Sequence, residues 1–488
     1  MFRYVNFLCL LSLPACVAVG PNYTAPEAVG IQQAYVEADR PIFVVDAEGG
    51  DAGGEPIAWW EAFSDRRIAE AVAIAREENR ELRQAVARLE AAEARAGAAR
   101  RGLLPQGGTS FSITRQEQAQ AAFAGFAGAG EDGAAPPEPR DNPEFTTYQA
   151  QAQASWEVDL FGRLRRQAQG ASARAEAQAQ SLADARRLIT GRVVESYLLL
   201  VEAVNRRRVA VENLALQEES LRLIEQLYEF GEVPQIDLLR QRTQVRTTAA
   251  SVTQIENAAA DAASGLALLL GMTVPDLRAR FPELFDREEV PPMPEAAGVI
   301  ALTKPEEMLR RRPDVLAAER QLAAETYDIG IETAGLFPQV SVDGSASLLA
   351  LDFSGLGDEN ALGYTFGPRI SWQILSYPRL LEQRAAAKAE AAAALAAYEQ
   401  AVLAALTETD RALAVYSGAV EQAMLLTDAQ RSAQRALELA ELRYREGADS
   451  LLTLLDAQRI ALQTQDQAVQ AQALALRSRA VVHRVLAD

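Results

Sequence analysis

From residue 163 to residue 229 the chain contains no proline and only two glycines, and from 380 to 446 it repeats that character with one. A helix over either run reaches roughly 100 Å at 1.5 Å per residue. That is too long for a globular core, so such helices must pack lengthwise against one another as coiled coils. Each run stops at a glycine, Gly231 or Gly447, with Pro234 just beyond the first. Helical sequence then resumes over 235–270 and 450–485, so each long helix is expected to turn and return antiparallel.

A second pattern has the period of a strand. From Tyr148 the apolar positions Tyr148, Ala150, Ala152, Ala154, Trp156 and Val158 alternate with Gln149, Gln151, Gln153, Ser155, Glu157 and Asp159. Val340, Val342, Ala346 and Leu348 alternate likewise with Ser341, Asp343, Ser345 and Ser347. Leu362, Tyr364, Phe366, Ile370 and Trp372 form a third run, and Phe111 and Ile113 keep phase in a shorter fourth near Thr109 to Thr114. Segments of about 9–11 residues with one apolar and one polar face suit a tilted strand between lipid and water. A soluble sandwich with one wet face shows the same alternation, but four strands are too few for it. They are also too few to close a barrel, which takes about eight, so closure requires more than one chain.

The chain is two copies of one unit, each holding both patterns. Ser155-Trp156-Glu157-Val158 matches Ser371-Trp372-Gln373-Ile374, and Tyr228-Glu229-Phe230-Gly231 matches Tyr444-Arg445-Glu446-Gly447. Subtracting 156 from 372 and 231 from 447 gives 216 in both cases. Leu103-Leu104-Pro105-Gln106 and Leu336-Phe337-Pro338-Gln339 lie 233 apart, which places an insertion in the Gly/Ala/Pro-rich stretch 119–143.

Composition removes several classes of function. With 48 basic against 67 acidic side chains the net charge is −19, which argues against nucleic acid as a partner. The two cysteines, Cys9 and Cys16, lie at the N-terminus, and the one histidine, His483, reads as a solvated side chain near the C-terminus. No catalytic triad or His/Cys metal site fits, nor any cofactor. Gly128-Ala129-Gly130-Glu131-Asp132-Gly133 matches a dinucleotide fingerprint but runs into Pro136 and Pro137 rather than a helix. An enzyme is not expected.

The N-terminus reads as an export signal: Arg3 precedes the apolar stretch Tyr4 to Leu13, too short to span a membrane. No later segment reads as a transmembrane helix, because the alanine-rich run 385–406 is interrupted by Lys388, Glu390 and Glu399. Any crossing must therefore be by a closed barrel.

Leu13-Pro14-Ala15-Cys16 resembles the lipobox of bacterial lipoproteins. That resemblance implies cleavage after residue 15, with S-diacylglycerol and N-palmitoyl groups on Cys16. Further features are Val19-Gly20-Pro21-Asn22-Tyr23, Trp59-Trp60 with Phe63, Arg311-Arg312-Pro313-Asp314, the Leu-Phe-Pro-Gln strand start, and Tyr444 with Gly447 followed by Leu454-Leu455-Asp456-Ala457-Gln458-Arg459. Together with the lipobox they resemble the TolC-like outer-membrane factors, in particular the NodT-type lipoproteins of RND efflux systems.

The resemblance implies a mixed α and β membrane protein. Three chains would give a 12-stranded outer-membrane barrel, four strands each, continuing into a periplasmic α-helical tunnel. It further implies a homotrimer working with a periplasmic adaptor and an inner-membrane RND transporter, exporting small molecules. The outlet of a type I protein secretion system is the alternative. Leu452 would form an apolar constriction, Asp456 an acidic ring, and Arg459 with Tyr444 and Arg445 the latch, while the turns at Gly231 and Gly447 would meet the adaptor. Arg240 stands where the second unit has Asp456, so the ring would hold three carboxylates and not six. The expected division is a signal peptide 1–15, a lipidated extended segment 16–58, a first repeat 59–270, an irregular equatorial connection 271–311 and a second repeat 312–488.

Overall fold

The structure, a computed structural model, describes residues 18–26, 34–45, 58–117, 144–286, 290–296 and 298–486. Cys16, the signal peptide and the stretch 119–143 lie outside the described residues.

The first repeat runs α1 (Arg66–Glu78), α2 (Arg80–Arg101), β2 (Gln106–Glu117), β3 (Glu144–Val158), α3 (Arg163–Glu229) and α4 (Gln235–Leu269). The second runs α7 (Pro313–Ala334), β5 (Gln339–Ala350), β6 (Leu362–Ser371), α8 (Tyr377–Arg445) and α9 (Leu451–Leu486). The long helices hold 67 and 69 residues. α8 starts ahead of the expected Leu380 because Pro378 falls in its first turn, where no amide hydrogen is needed.

The same hydrogen bonds recur in both repeats. The Trp156 indole donates to the Leu103 carbonyl at 3.0 Å, and that of Trp372 to Leu336 at 3.2 Å. Arg163 donates to Glu157 at 3.0 Å, and Arg379 to Gln373 at 3.1 Å, each fastening a strand end to the following helix. Asn79, which precedes α2, donates to the Leu269 carbonyl, and Arg312, which precedes α7, to that of Val485.

The chain divides into two compact units, each assembled from both repeats: residues 1–25, 91–175 and 321–395, and residues 26–90, 176–320 and 396–488. In the first unit the strands form one antiparallel sheet of order β2-β3-β5-β6. Tyr148 pairs with Ala350 and Ile113, and Ser155 with Asp343 and Gln106, so the alternations stay in phase across the sheet. One face carries exposed Phe111, Ile113, Tyr364, Phe366 and Ile370. The other carries Gln, Ser and Thr. β2 and β6 are edges, each with one described neighbour.

Two large buried clusters dominate the second unit. In one, Ile68, Ala71 and Val72 of α1 pack with Val193, Tyr197 and Val201 of α3, Leu266 of α4 and Leu270 just past its end. In the other, Ala405 and Leu413 of α8 and Val482 and Val485 of α9 pack with Met308, Phe43 and Ile300. Leu413 stands 216 residues after Tyr197. Small alanines at many of these positions let the helices approach closely, in place of larger side chains filling a wide gap.

Four expectations need correction. The described part of 16–58 is not extended throughout, because the chain turns between Tyr35 and Phe43, where Ala38 donates to the Tyr35 carbonyl and Phe43 to that of Arg40, before Phe43–Val45 (β1) pairs in parallel with Ile300–Leu302 (β4). The connection 271–311 is largely ordered. A Thr273–Asp276 capping box starts α5 (Val274–Arg280), and Pro305 opens α6 (Pro305–Arg311). His483 is not a solvated terminal side chain, for its ring stacks on buried Trp59 at 5.4 Å and 5°. Finally, Ile374–Arg445 is by length and composition apolar enough to cross a membrane, and it is the one such single helix among the described residues. Alanine accounts for this: it raises hydropathy without supplying a broad apolar surface, and the helix is several times the length a bilayer needs.

Candidate functional site

The α8–α9 turn is built by glycine. Gly447 has φ of 73°, a left-handed conformation that costs other residues strain, and nothing lies within 4 Å of where a Cβ would stand. Its amide donates to the Tyr444 carbonyl at 3.0 Å and that of Ala448 to Arg443 at 2.8 Å, closing the helix end. Gly231, at φ 76°, ends α3 identically: its amide donates to Tyr228 and that of Glu232 to Leu227.

The two turns then diverge. Arg443 grips Asp449 with two hydrogen bonds of 2.7 and 3.0 Å, and that bonding holds the Asp449 carboxyl below the usual carboxylate range. The first repeat has Leu227 and Val233 at those positions and cannot form this clamp. Sequence reasoning missed it, although an arginine and an aspartate bracketing a helix-ending glycine were there to read.

Leu452 is 56 % exposed on the first turn of α9. One turn on, Asp456 and Arg459 form an ion pair of 2.8 Å along their own helix, with both side chains about half exposed. Arg445 donates to the carbonyl of Glu441 in its own helix at 3.3 Å. Tyr444 supplies the carbonyl that accepts from Gly447. Within one chain, then, Asp456 and Arg459 meet, while Tyr444 and Arg445 serve the helix end and make no bond to either. Leu454 and Ala457 pack beside Leu437 and Ala461, seating α9 on α8. In the first repeat, Asp237 and Arg240 make a looser pair of 3.5 Å.

Further along α9, Asp466 accepts from Arg206 of α3 at 2.8 Å, and Arg477 meets Glu202 of α3 at 3.0 Å. Burial drives the Glu202 carboxyl upward. These pairs join the first repeat's long helix to the second repeat's returning helix, a relation that local sequence spacing does not reveal.

The N-terminal segment is also held. Arg166, 2 % exposed on α3, donates to the carbonyls of Val19 and Gly20 and to Asn22 Oδ1, the last at 2.8 Å. Val19 donates in turn to the Phe161 carbonyl. Gly20 lies so close to α7 that a Cβ there would come within 2.5 Å of Gly330 Cα.

The geometry is that of a two-faced sheet with open edges and two long helical hairpins with specialised turns. Comparison with known proteins agrees. The sequence profile of the outer membrane efflux protein family matches residues 71–272 and 305–487, one span in each repeat. The pyoverdine export outer membrane protein OpmQ of Pseudomonas putida is 29 % identical over 429 residues, covering 88 % of this chain and 87 % of its own. The outer membrane protein OprJ of Pseudomonas aeruginosa is 28 % identical over 465 residues, covering 94 % and 90 %. The solved structure of the outer-membrane channel OprN superposes with a TM-score of 0.81 at 32 % identity, covering 96 % of this chain and 98 % of that one. With its fold, its duplicated sequence and these relatives in agreement, the chain belongs to the outer membrane efflux protein family and is an outer-membrane channel protein.

Proposed function

We propose that this protein is the exit duct of a tripartite RND-type pump, carrying small molecules out through a gated tunnel. Three chains place their four-stranded sheets edge to edge as a 12-stranded barrel, and Cys16 carries diacylglycerol and palmitoyl anchors. The observation that carries the reading is the sheet itself: an exposed apolar face, a polar face, and free edges at β2 and β6. An isolated sheet with unpaired edges cannot sit in hydrocarbon, and closure with further copies satisfies those edges. A periplasmic adaptor engages the turns at Gly231 and Gly447, and the inner-membrane transporter delivers the cargo.

The closed state is held around Leu452, Asp456, Arg459, Tyr444 and Arg445. Three copies of Asp456 around one axis repel, and each Arg459 offsets its own Asp456 at 2.8 Å. Opening swings α9 and the end of α8 outward.

The test is single-channel recording in planar bilayers. Asp456→Ala with Arg459→Ala raises conductance above that of the parent. An unchanged conductance removes the gate assignment, and a water-soluble monomer in place of a detergent-extracted trimer removes the channel assembly. Cys16→Ser, followed by palmitate labelling, tests the anchor separately.

A further inference from the structure

The polar face of the sheet is almost uncharged. Along β3 it presents Gln149, Gln151, Gln153 and Ser155, and along β2 Ser110, Ser112 and Thr114, with Ser347 and Ser345 of β5 opposite Gln151 and Gln153. Three formal charges interrupt this wall: Glu157, Asp343 and Arg369. Glu157 is taken by Arg163, at 3.0 and 2.5 Å. Asp343 accepts from Ser155 at 2.6 Å, from Ser341 at 3.1 Å and from Arg369 Nε at 2.8 Å. Both carboxylates are therefore engaged by donors.

Arg369 is not used up in the same way. Its Nε is committed to Asp343, while its two terminal nitrogens have no partner among the described residues, and the side chain is 75 % exposed. Asp343 thus fixes the guanidinium by one edge and leaves the outer edge free. Gly367, opposite Asp343 on β6, would meet nothing within 4 Å if it carried a Cβ, so the space beside Arg369 is open. Phe366 and Ile370 point to the other face, 79 % and 71 % exposed, as lipid-facing residues of such a sheet must.

We propose that Arg369, seated on Asp343, is an anion-contact site in the barrel wall that engages carboxylate-bearing solutes during passage. The inference rests on the barrel reading, in which the polar face lines the water-filled lumen and the trimer sets three such guanidinium groups at one level. An arginine held at Nε offers its terminal nitrogens as a paired donor to a carboxylate. Among the described strand residues of this face, whose two carboxylates are already engaged, no second cation competes for the solute. The channel thereby slows and orders anionic cargo at this level, while neutral cargo meets hydrogen-bonding groups alone.

The experiment uses the full-length protein in detergent and citrate as the probe, at constant ionic strength against chloride. Phenylglyoxal modification of Arg369, read by peptide mass spectrometry, slows several-fold in citrate. Arg115, which pairs with Glu144 on the opposite face, reacts at the same rate with or without it. In planar bilayers, the citrate concentration that halves the current rises about tenfold in Arg369→Gln, the loss of one charge-assisted contact. Arg369 reacting equally fast in citrate and chloride overturns the proposal, as does an equal half-blocking concentration in Arg369→Gln. A protein that forms no pore at all counts against the barrel reading, and the protection result still decides the contact itself.

Discussion

Trp372 donates its indole N–H to the backbone carbonyl of Leu336 at 3.2 Å, tying the end of β6 to the turn that follows α7 and leads into β5. The bond from Trp156 to Leu103 repeats it in the first half of the chain. Trp372→Phe keeps an aromatic ring, though a smaller one, and removes the donor, so it should cost at least about 1 kcal/mol, the net value of a partly exposed hydrogen bond. Trp156→Phe should cost a similar amount, and the double variant the sum, because the two bonds share no atoms. Thermal unfolding in detergent followed by near-ultraviolet circular dichroism reads this. Unshifted midpoints in both variants would mean that packing of the rings, and not the N–H, fastens the sheet.

Arg312, 2 % exposed, joins Asp314 at 2.6 Å, Glu408 at 2.9 Å and the Val485 carbonyl at 3.3 Å. Burial works against the charge of Asp314, but the Arg312 guanidinium overrides it and holds that carboxyl below its ordinary value. A depressed carboxyl stabilises the fold fully above its unfolded pKa of about 3.9 and loses that contribution as pH falls through the folded value. Arg312→Ala should therefore cost about 3 kcal/mol at neutral pH by stranding two carboxylates and a carbonyl. Below about pH 4 the gap to the parent should narrow, since the parent alone still has this stabilisation to lose. Denaturant titrations at pH 7 and pH 3 compare the two, and parallel losses would show that Asp314 does not depend on Arg312.

At Gly447 and Gly231 the demand on the residue is purely backbone, with no atom near a Cβ position. Alanine at either should cost about 1–2 kcal/mol of local stability through the left-handed conformation alone. Asparagine should cost less, because its side chain tolerates that region. Hydrogen exchange at the neighbouring helix ends measures the loss. Gly447→Ala should fray less than Gly231→Ala, because the Arg443–Asp449 clamp spans only the second turn. Equal fraying would show that the clamp adds nothing there.

Arg166→Ala removes the three donated hydrogen bonds that hold Val19, Gly20 and Asn22. Limited proteolysis of residues 18–26 should accelerate about tenfold for each 1.4 kcal/mol of local stability lost. Cleavage within α3 should stay at the parent rate. If α3 becomes sensitive as well, Arg166 supports the helix more than the segment lying on it.

The sequence by itself determined the elements and their order. Helix length was legible because nothing between Arg163 and Glu229 interrupts the backbone, and the hairpin ends because Gly231 and Gly447 supply a conformation other residues avoid. Strand faces were legible because side chains alternate with a period of two, so Tyr148 and Trp156 had to share a face. The duplication followed from fixed spacing alone.

Tertiary structure decided which distant residues became partners. Arg206 meets Asp466 and Arg166 meets Asn22 across separations that no local pattern encodes. The pairing of Phe43–Val45 with Ile300–Leu302 escaped notice because three-residue strands carry too little alternation to register. At the turn, Asp456 and Arg459 were legible as neighbours one helical turn apart, whereas the Arg443–Asp449 clamp depended on how the chain bends between them. The physical reason is common to all of these. Periodicity and backbone conformation are properties of a short stretch of chain, while a long-range ion pair or short strand forms only where packing of the alanine-rich helices and the sheet brings two surfaces together.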